Sequence, residues 1–163
     1  MPVRVAPSAR RAVNCRNGTD FYPVWPALIA ITDKSRNAVL ALVELARRPE
    51  GPVPIQDVAD GRGIALHVLE QLFASLRRAG ILQSQRGVKG GYSFRRPPSA
   101  VSLLEVVEAV DGALGLGGAQ DPTAADEVWD AARAGVAEVL GEVTVADILE
   151  REDRAAAAPM FHI

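Results

Sequence analysis

Residues 64–94, IALHVLEQLFASLRRAGILQSQRGVKGGYSF, decide how the rest of the chain is read. Val68, Leu69, Leu72, Phe73 and Leu76 recur at helical spacing, which gathers them into one apolar stripe of an α-helix. The other face carries His67, Glu70, Gln71, Ser75 and Arg78. This pattern predicts an amphipathic helix over 65–78. Gly80 stands just past it, where a residue without Cβ enters the left-handed region and stops the helix. Residues 81–84 and 92–94 then read as two short strands. Between them, Arg86-Gly87-Val88-Lys89-Gly90-Gly91 supplies glycines for a tight connection and positive charge from Arg86 and Lys89.

Working upstream, Ile55-Gln56-Asp57-Val58-Ala59-Asp60 predicts a short helix with Val58 and Ala59 inward, and Gly61 and Gly63 make the turn into the 65–78 helix. Helix, glycine turn, helix and charged hairpin together give a mostly α fold with a small β-hairpin, a winged helix-turn-helix. That arrangement is expected to read DNA, with the second helix in the major groove and residues 86–91 as its wing. Further upstream, residues 28–48 predict the first helix, capped by Thr32 or Asp33, with Val39, Leu40, Leu42, Val43 and Ala46 inward. Pro49-Glu50-Gly51-Pro52 ends it. Residues 1–27, with four prolines, scattered arginines and no periodicity, read as a disordered arm, and Cys15 within it as an idle exposed thiol.

Downstream, Pro97-Pro98 closes the second strand. Ser102 with Glu105 three residues on predicts a capping box at the start of a helix ending at Asp111-Gly112. A glycine-rich loop over 112–120 leads to a long helix from Asp121-Pro122 to about Leu140, with Val128, Trp129, Ala132, Val136 and Val139 as an apolar stripe. That stripe is more than the neighbouring short helix can cover, so it is expected to form a homodimer interface. Thr144 caps a last helix over 145–151, and residues 153–163 read as an alanine-rich tail. The expected organisation is therefore an arm (1–27), a DNA-binding domain (28–100), dimerisation helices (101–152) and a tail (153–163).

Composition bounds the function. A chain of 163 residues, 48% hydrophobic, suffices for one globular core. It has no apolar run of the roughly 18 residues needed to span a bilayer, and the expected location is cytoplasmic. A single cysteine leaves no internal disulfide and no multi-cysteine metal site within one chain. The net charge of −2 conceals an asymmetry: residues 28–100 hold eleven Lys and Arg against six Asp and Glu, whereas residues 101–163 hold three against thirteen. A basic half points to a polyanion partner. No metal-ligand spacing, nucleophile elbow or phosphate-cradling loop is present, so the chain is not expected to be an enzyme.

The strings Leu69-Glu70-Gln71-Leu72-Phe73, Leu76-Arg77-Arg78-Ala79-Gly80-Ile81-Leu82, Arg86-Gly87, Gly90-Gly91-Tyr92 and Val107-Glu108-Ala109-Val110-Asp111-Gly112 resemble the BadM/IscR-like (Rrf-type) bacterial transcription regulators over residues 31–149. The resemblance implies a homodimeric winged-helix repressor reading an inverted repeat of double-stranded DNA. It implies phosphate contacts from Thr32 and Lys34, base contacts from His67 and Gln71, Glu70 as a selectivity residue, and Arg86 in the minor groove, with Lys89 and Tyr92 also on the wing. Arg77 and Arg78 have two readings, as phosphate contacts or as compensation of the helix dipole. Many members hold an iron-sulfur cluster on three cysteines. Here residues 112–123 contain no cysteine, and Asp126 stands at the position of a histidine ligand, so the chain reads as a clusterless member without a cofactor. Some members bind a metabolic enzyme, and the acidic C-terminal half is the alternative docking surface for such a partner.

Overall fold

A computed structural model describes residues 31–48, 50–87, 90–113 and 123–157. Thr32 opens it: extended in backbone, it accepts the Lys34 amide at 3.1 Å on its hydroxyl and so caps α1 (Asp33–Ala46). The helix expected from residue 28 thus starts at Asp33, because Ile31 and Thr32 are non-helical. Its buried side chains are Ser35, Ala38, Ala41, Leu42, Val43 and Leu45, while Val39, Leu40 and Ala46 are only partly covered. The buried arc differs from the expected stripe because α1 is packed on several sides at once, by helices before and after the hairpin. Ser35, the one polar side chain buried among them, donates to the Thr32 carbonyl at 2.9 Å.

The short helix α2 runs Ile55–Arg62, two residues longer than expected, with Val58 and Ala59 buried. Gly61 lies inside it, where a Cβ would come within 3.0 Å of the Glu44 carboxyl. Gly63 alone makes the left-handed turn, at φ +62°. The next helix, α3 (Leu66–Arg78), buries Leu69, Leu72, Phe73 and Leu76. It ends in a Schellman motif: the Ile81 amide donates to the Leu76 carbonyl at 3.0 Å and the Gly80 amide to the Arg77 carbonyl at 3.1 Å, with Gly80 at φ +74°. Ile81 and Leu76, both buried, supply the apolar contact of that motif.

The hairpin pairs β1 (Leu82–Gln85) with β2 (Gly91–Phe94) antiparallel, Leu82 opposite Phe94 and Gln85 opposite Gly91. Its far edge is held by Val53, whose backbone exchanges two hydrogen bonds of 2.8 Å with Tyr92. A side chain at Gly91 would overlap the Val53 carbonyl, so only glycine admits this approach. The Tyr92 ring meets Phe73 edge-on, centroids 4.9 Å apart, and welds the hairpin to α3.

After a 3-10 turn at Pro98–Ala100, Ser102 and Glu105 form the expected capping box of α4 (Leu103–Asp111). The long helix α5 runs Ala124–Glu142. Thr123 is its N-cap: Asp126 accepts the Thr123 amide and hydroxyl, both at 2.7 Å, in a second capping box, while the expected start at Asp121-Pro122 lies outside the described residues. These bonds, the backbone one first, hold the Asp126 carboxyl below the usual carboxylate range. A third helix start, at Thr144 with Asp147, opens α6 (Val145–Ala157), and lies against the first through bonds from Leu103 to Val143 and Val145 to Val101.

The expected end of α6 at Arg151 is corrected by two further turns: residues 152–157 are helical, not tail. Nor does residue 100 mark a break in packing. Val101, Val106 and Val145 sit in the same core as Leu42, Leu69 and Phe73, each such burial contributing about 1.5–3 kcal/mol. Among the dimerisation helices expected over 101–152, α4 and α6 complete the core of the helix-turn-helix. By contrast α5 packs on α4 alone among the described helices with more than marginal contact, and none of its described side chains is fully buried. None of the described helices is long and apolar enough to cross a membrane.

Candidate nucleic-acid interface

The outward face of α3 is what its inward stripe leaves over. His67, Glu70 and Gln71 are exposed on it, and Ser75 is half-buried. Ala65 occupies the N-cap and gives the helix no side-chain bond, so no side chain covers the first-turn amides. Gln71 and Ser75 border a shallow hollow whose other wall is the first turn of α1, formed by Asp33, Lys34 and Asn37. The structure thus brings Lys34 beside the α3 surface although the two lie far apart in sequence. Arg36 and Asn37, which sequence reasoning passed over, stand on the same first turns of α1; the signal available for them was the polar run at that end of the helix.

Thr32 is placed differently. Its hydroxyl donates to Asp111 Oδ1 at 2.7 Å while accepting the Lys34 amide at 3.1 Å, so the group serves the cap and ties α1 to the end of α4. The Lys34 side chain beside it is exposed. Tyr92 is likewise half-buried with its ring against Phe73, an anchor of the wing rather than part of its outer surface.

Arg86 is exposed directly after β1, and Gly87 turns back at φ +111° with its carbonyl accepting the Gly90 amide at 2.9 Å. Lys89 lies outside the described residues, as do Cys15, the arm and residues 158–163. At the C-terminal end of α3, Arg78 donates to Ser75 of the same helix at 2.9 Å, while Arg77 reaches across to Ser84 of β1 at 3.4 Å.

Ion pairing sorts the cations. Arg47, Arg48, Arg62 and Arg96 are engaged by carboxylates. Among the described residues, Lys34, Arg36, Arg77, Arg78, Arg86, Arg95 and, on α6, Arg151 make no ion pair. Uncompensated charge is therefore concentrated on the first turn of α1, the outer side of α3 and the hairpin, the segments that flank the α3 face. Such charge attracts a polyanion and releases its counterions.

Away from this face, α5 presents Val128, Trp129 and Val139 at 64, 55 and 63% exposure, and a hollow formed by Ala132, Gly135, Val136, Val139 and Leu140 together with Ile31.

The family model described as "Iron-dependent Transcriptional regulator", Rrf2, matches residues 31–151. The HTH-type transcriptional regulator IscR of Klebsiella pneumoniae (strain 342) is 33% identical over 132 residues, covering 76% of this chain and 81% of the relative. Among solved structures, T. potens IscR superposes with a TM-score of 0.69 at 30% identity, covering 82% of this chain and 95% of that one. CymR (YrzC), described as the global cysteine regulator of B. subtilis, gives 0.67 at 31% identity, covering 76 and 98%. These relatives are regulators, not enzymes.

The iron in the family description finds no fitting donor set here. The chain has one cysteine, and residues 112–123 have none. No group of three His, Cys, Asp or Glu side chains converges among the described residues, and Asp126 Oδ2 accepts both bonds of the Thr123 cap. Soft iron-sulfur chemistry requires thiolates that these positions do not offer. Anaerobic reconstitution with iron and sulfide is expected to leave the protein without absorbance near about 400 nm, where sulfur-to-iron charge transfer falls. A stoichiometric, stable chromophore would show that the donor set had been misread.

Proposed function

The chain belongs to the Rrf2 family of transcriptional regulators, and from that premise we propose that it acts as a homodimeric repressor that reads an inverted-repeat operator. Each subunit lays α3 in a major groove and its wing along the adjacent minor groove, and the dimer occludes the promoter it covers. The observation that carries this reading is the division of α3. One face is locked in the core through Leu69, Phe73 and Leu76, while His67, Glu70 and Gln71 are held exposed between the unpaired cations of α1 and the hairpin. A rigid polar helix face flanked by positive charge has the chemistry of base readout framed by phosphate contacts. The apolar face of α5 supports the two-fold assembly, since a second copy of the same stripe covers it.

The alternative docking surface, the acidic half, is partly consumed within the chain: Glu152 and Asp153 are bound to Arg47 and Arg62. Selection of bound fragments from genomic DNA tests the proposal. Two-fold symmetry requires the recovered sequences to contain an inverted repeat whose half-sites lie about 10–10.5 base pairs, or a multiple, apart. Recovery of no common sequence, or of single unrepeated half-sites, would refute it.

A further inference from the structure

The last two turns of α6 carry a carboxylate that the helix face does not need. Glu152 Oε1 accepts from Arg62 Nη1 at 3.1 Å and Oε2 from Arg62 Nη2 at 2.8 Å, a two-pronged pairing, while Arg47 Nη2 reaches the same Oε2 at 2.8 Å. Asp153 takes the other nitrogen of Arg47. Arg62 is only 16% exposed, and its buried Nε lies 3.3 Å from Glu44 Oε2 without hydrogen-bond alignment. The Arg62 bonds, opposed by partial burial and aided by Arg47, hold the Glu152 carboxyl below the usual carboxylate range. One carboxylate on α6 joins two helices some 90 to 105 residues upstream: α1 through its C-cap residue Arg47, and α2 through Arg62.

The helix with the most to gain from this is α2. It has eight residues, no side-chain N-cap because Pro54 precedes it, and just Val58 and Ala59 fully buried. Isolated helices of that length do not hold themselves. Its direction nevertheless matters, because only residues 63–65 separate it from α3, so any tilt of α2 is delivered to the first turn of the helix that carries His67 and Gln71. We propose that Glu152 is a positioning residue for DNA reading, holding α2, and through it α3, in register with the body of the protein by way of Arg62 and Arg47. This rests on the DNA-reading function proposed above. Glu152 itself lies on α6, outside the α3 face and the hairpin, and acts through the arginines.

The sign of one substitution separates positioning from bulk electrostatics. Glu152→Arg makes each subunit two charge units more positive, which by field alone strengthens binding to every duplex. Positioning demands the opposite for the cognate sequence. The measurement uses full-length protein, the best duplex recovered by genomic selection and a scrambled version of it, together with amide exchange over residues 55–62 in the absence of DNA. Glu152→Arg is expected to lose about tenfold of the cognate-to-scrambled preference, with dimer mass unchanged and exchange in α2 accelerated. Glu152→Gln and Arg62→Lys, which keep the volume or the charge but break the fork, are expected to fall between it and wild type. Preference retained within about twofold in Glu152→Arg, whatever its melting temperature, would overturn the inference. If wild-type protein shows no sequence preference, the DNA reading itself fails. The exchange arm then still decides the clamp: unchanged exchange over 55–62 removes it as well.

Discussion

Val136→Asp is expected to abolish the dimer and leave a folded monomer. Val136 lies in the hollow of α5 with Ala132, Gly135, Val139 and Leu140, and Val128, Trp129 and Val139 around it are each more than half exposed in the single chain. If a second copy covers this face, the aspartate becomes a buried charge without a partner, at a cost on the order of several kcal/mol in each subunit. Symmetry imposes that cost twice. In the isolated subunit the same side chain stays partly in water, and the core of α1, α3, α4 and α6 does not include it, so helicity should be retained. Sedimentation and circular dichroism together check this. An unchanged dimer would move the interface elsewhere; a collapsed spectrum would mean that α5 is packed within its own subunit more tightly than its exposure indicates.

The second large effect concerns DNA. Gln71 is exposed four residues beyond His67 on the same face of α3, and a glutamine amide pairs with the acceptor and donor that adenine shows in the major groove. Gln71→Ala is expected to cost about 1–3 kcal/mol per half-site on the best duplex, hence about twice that in a dimer, and to relax preference at one base pair of each half-site. Lys89→Ala should behave differently. Loss of a phosphate contact weakens all sequences alike and reduces the salt slope by about 0.9 per phosphate, so about 1.8 for two subunits. Arg86→Ala is expected to lose most on sites with a narrow A·T-rich minor groove, where negative potential is concentrated. Titrations on cognate and scrambled duplexes at several salt concentrations distinguish the three. Identical behaviour of Gln71→Ala and Lys89→Ala would mean that α3 does not read bases.

What could be read from the sequence follows the range of the forces involved. The stripe of α3, the glycine at its end, the hairpin and the Ser102–Glu105 box are local patterns, and their elements stand within one or two residues of expectation. The expected start of α5 at Asp121-Pro122 rests on proline being tolerated at a first helical position; it passes over the Thr123–Asp126 box, a spacing equally local, which caps the helix within the described residues. The second half of α6 was illegible for another reason. Arg154 followed by four alanines has helix propensity but no apolar stripe, and what holds this end in place are Arg47 and Arg62, some 90 to 106 residues away in sequence. Thr32 shows the same limit at the interface: nothing local says that its hydroxyl goes to Asp111, 79 residues on.

The two backbone hydrogen bonds between Val53 and Tyr92 have a metric consequence. Val53 lies two residues before α2, and Tyr92 is fixed to α3 through Phe73, so the hairpin is fastened at both sides of the reading helix. The α3 face and the Arg86 turn then behave as the two jaws of a calliper set to one gap. In the complex proposed above, the distance between the base pairs under one jaw and the groove under the other would be imposed by the protein, and any mismatch in length would have to be absorbed by bending or twisting of the DNA, whose stiffness depends on its sequence.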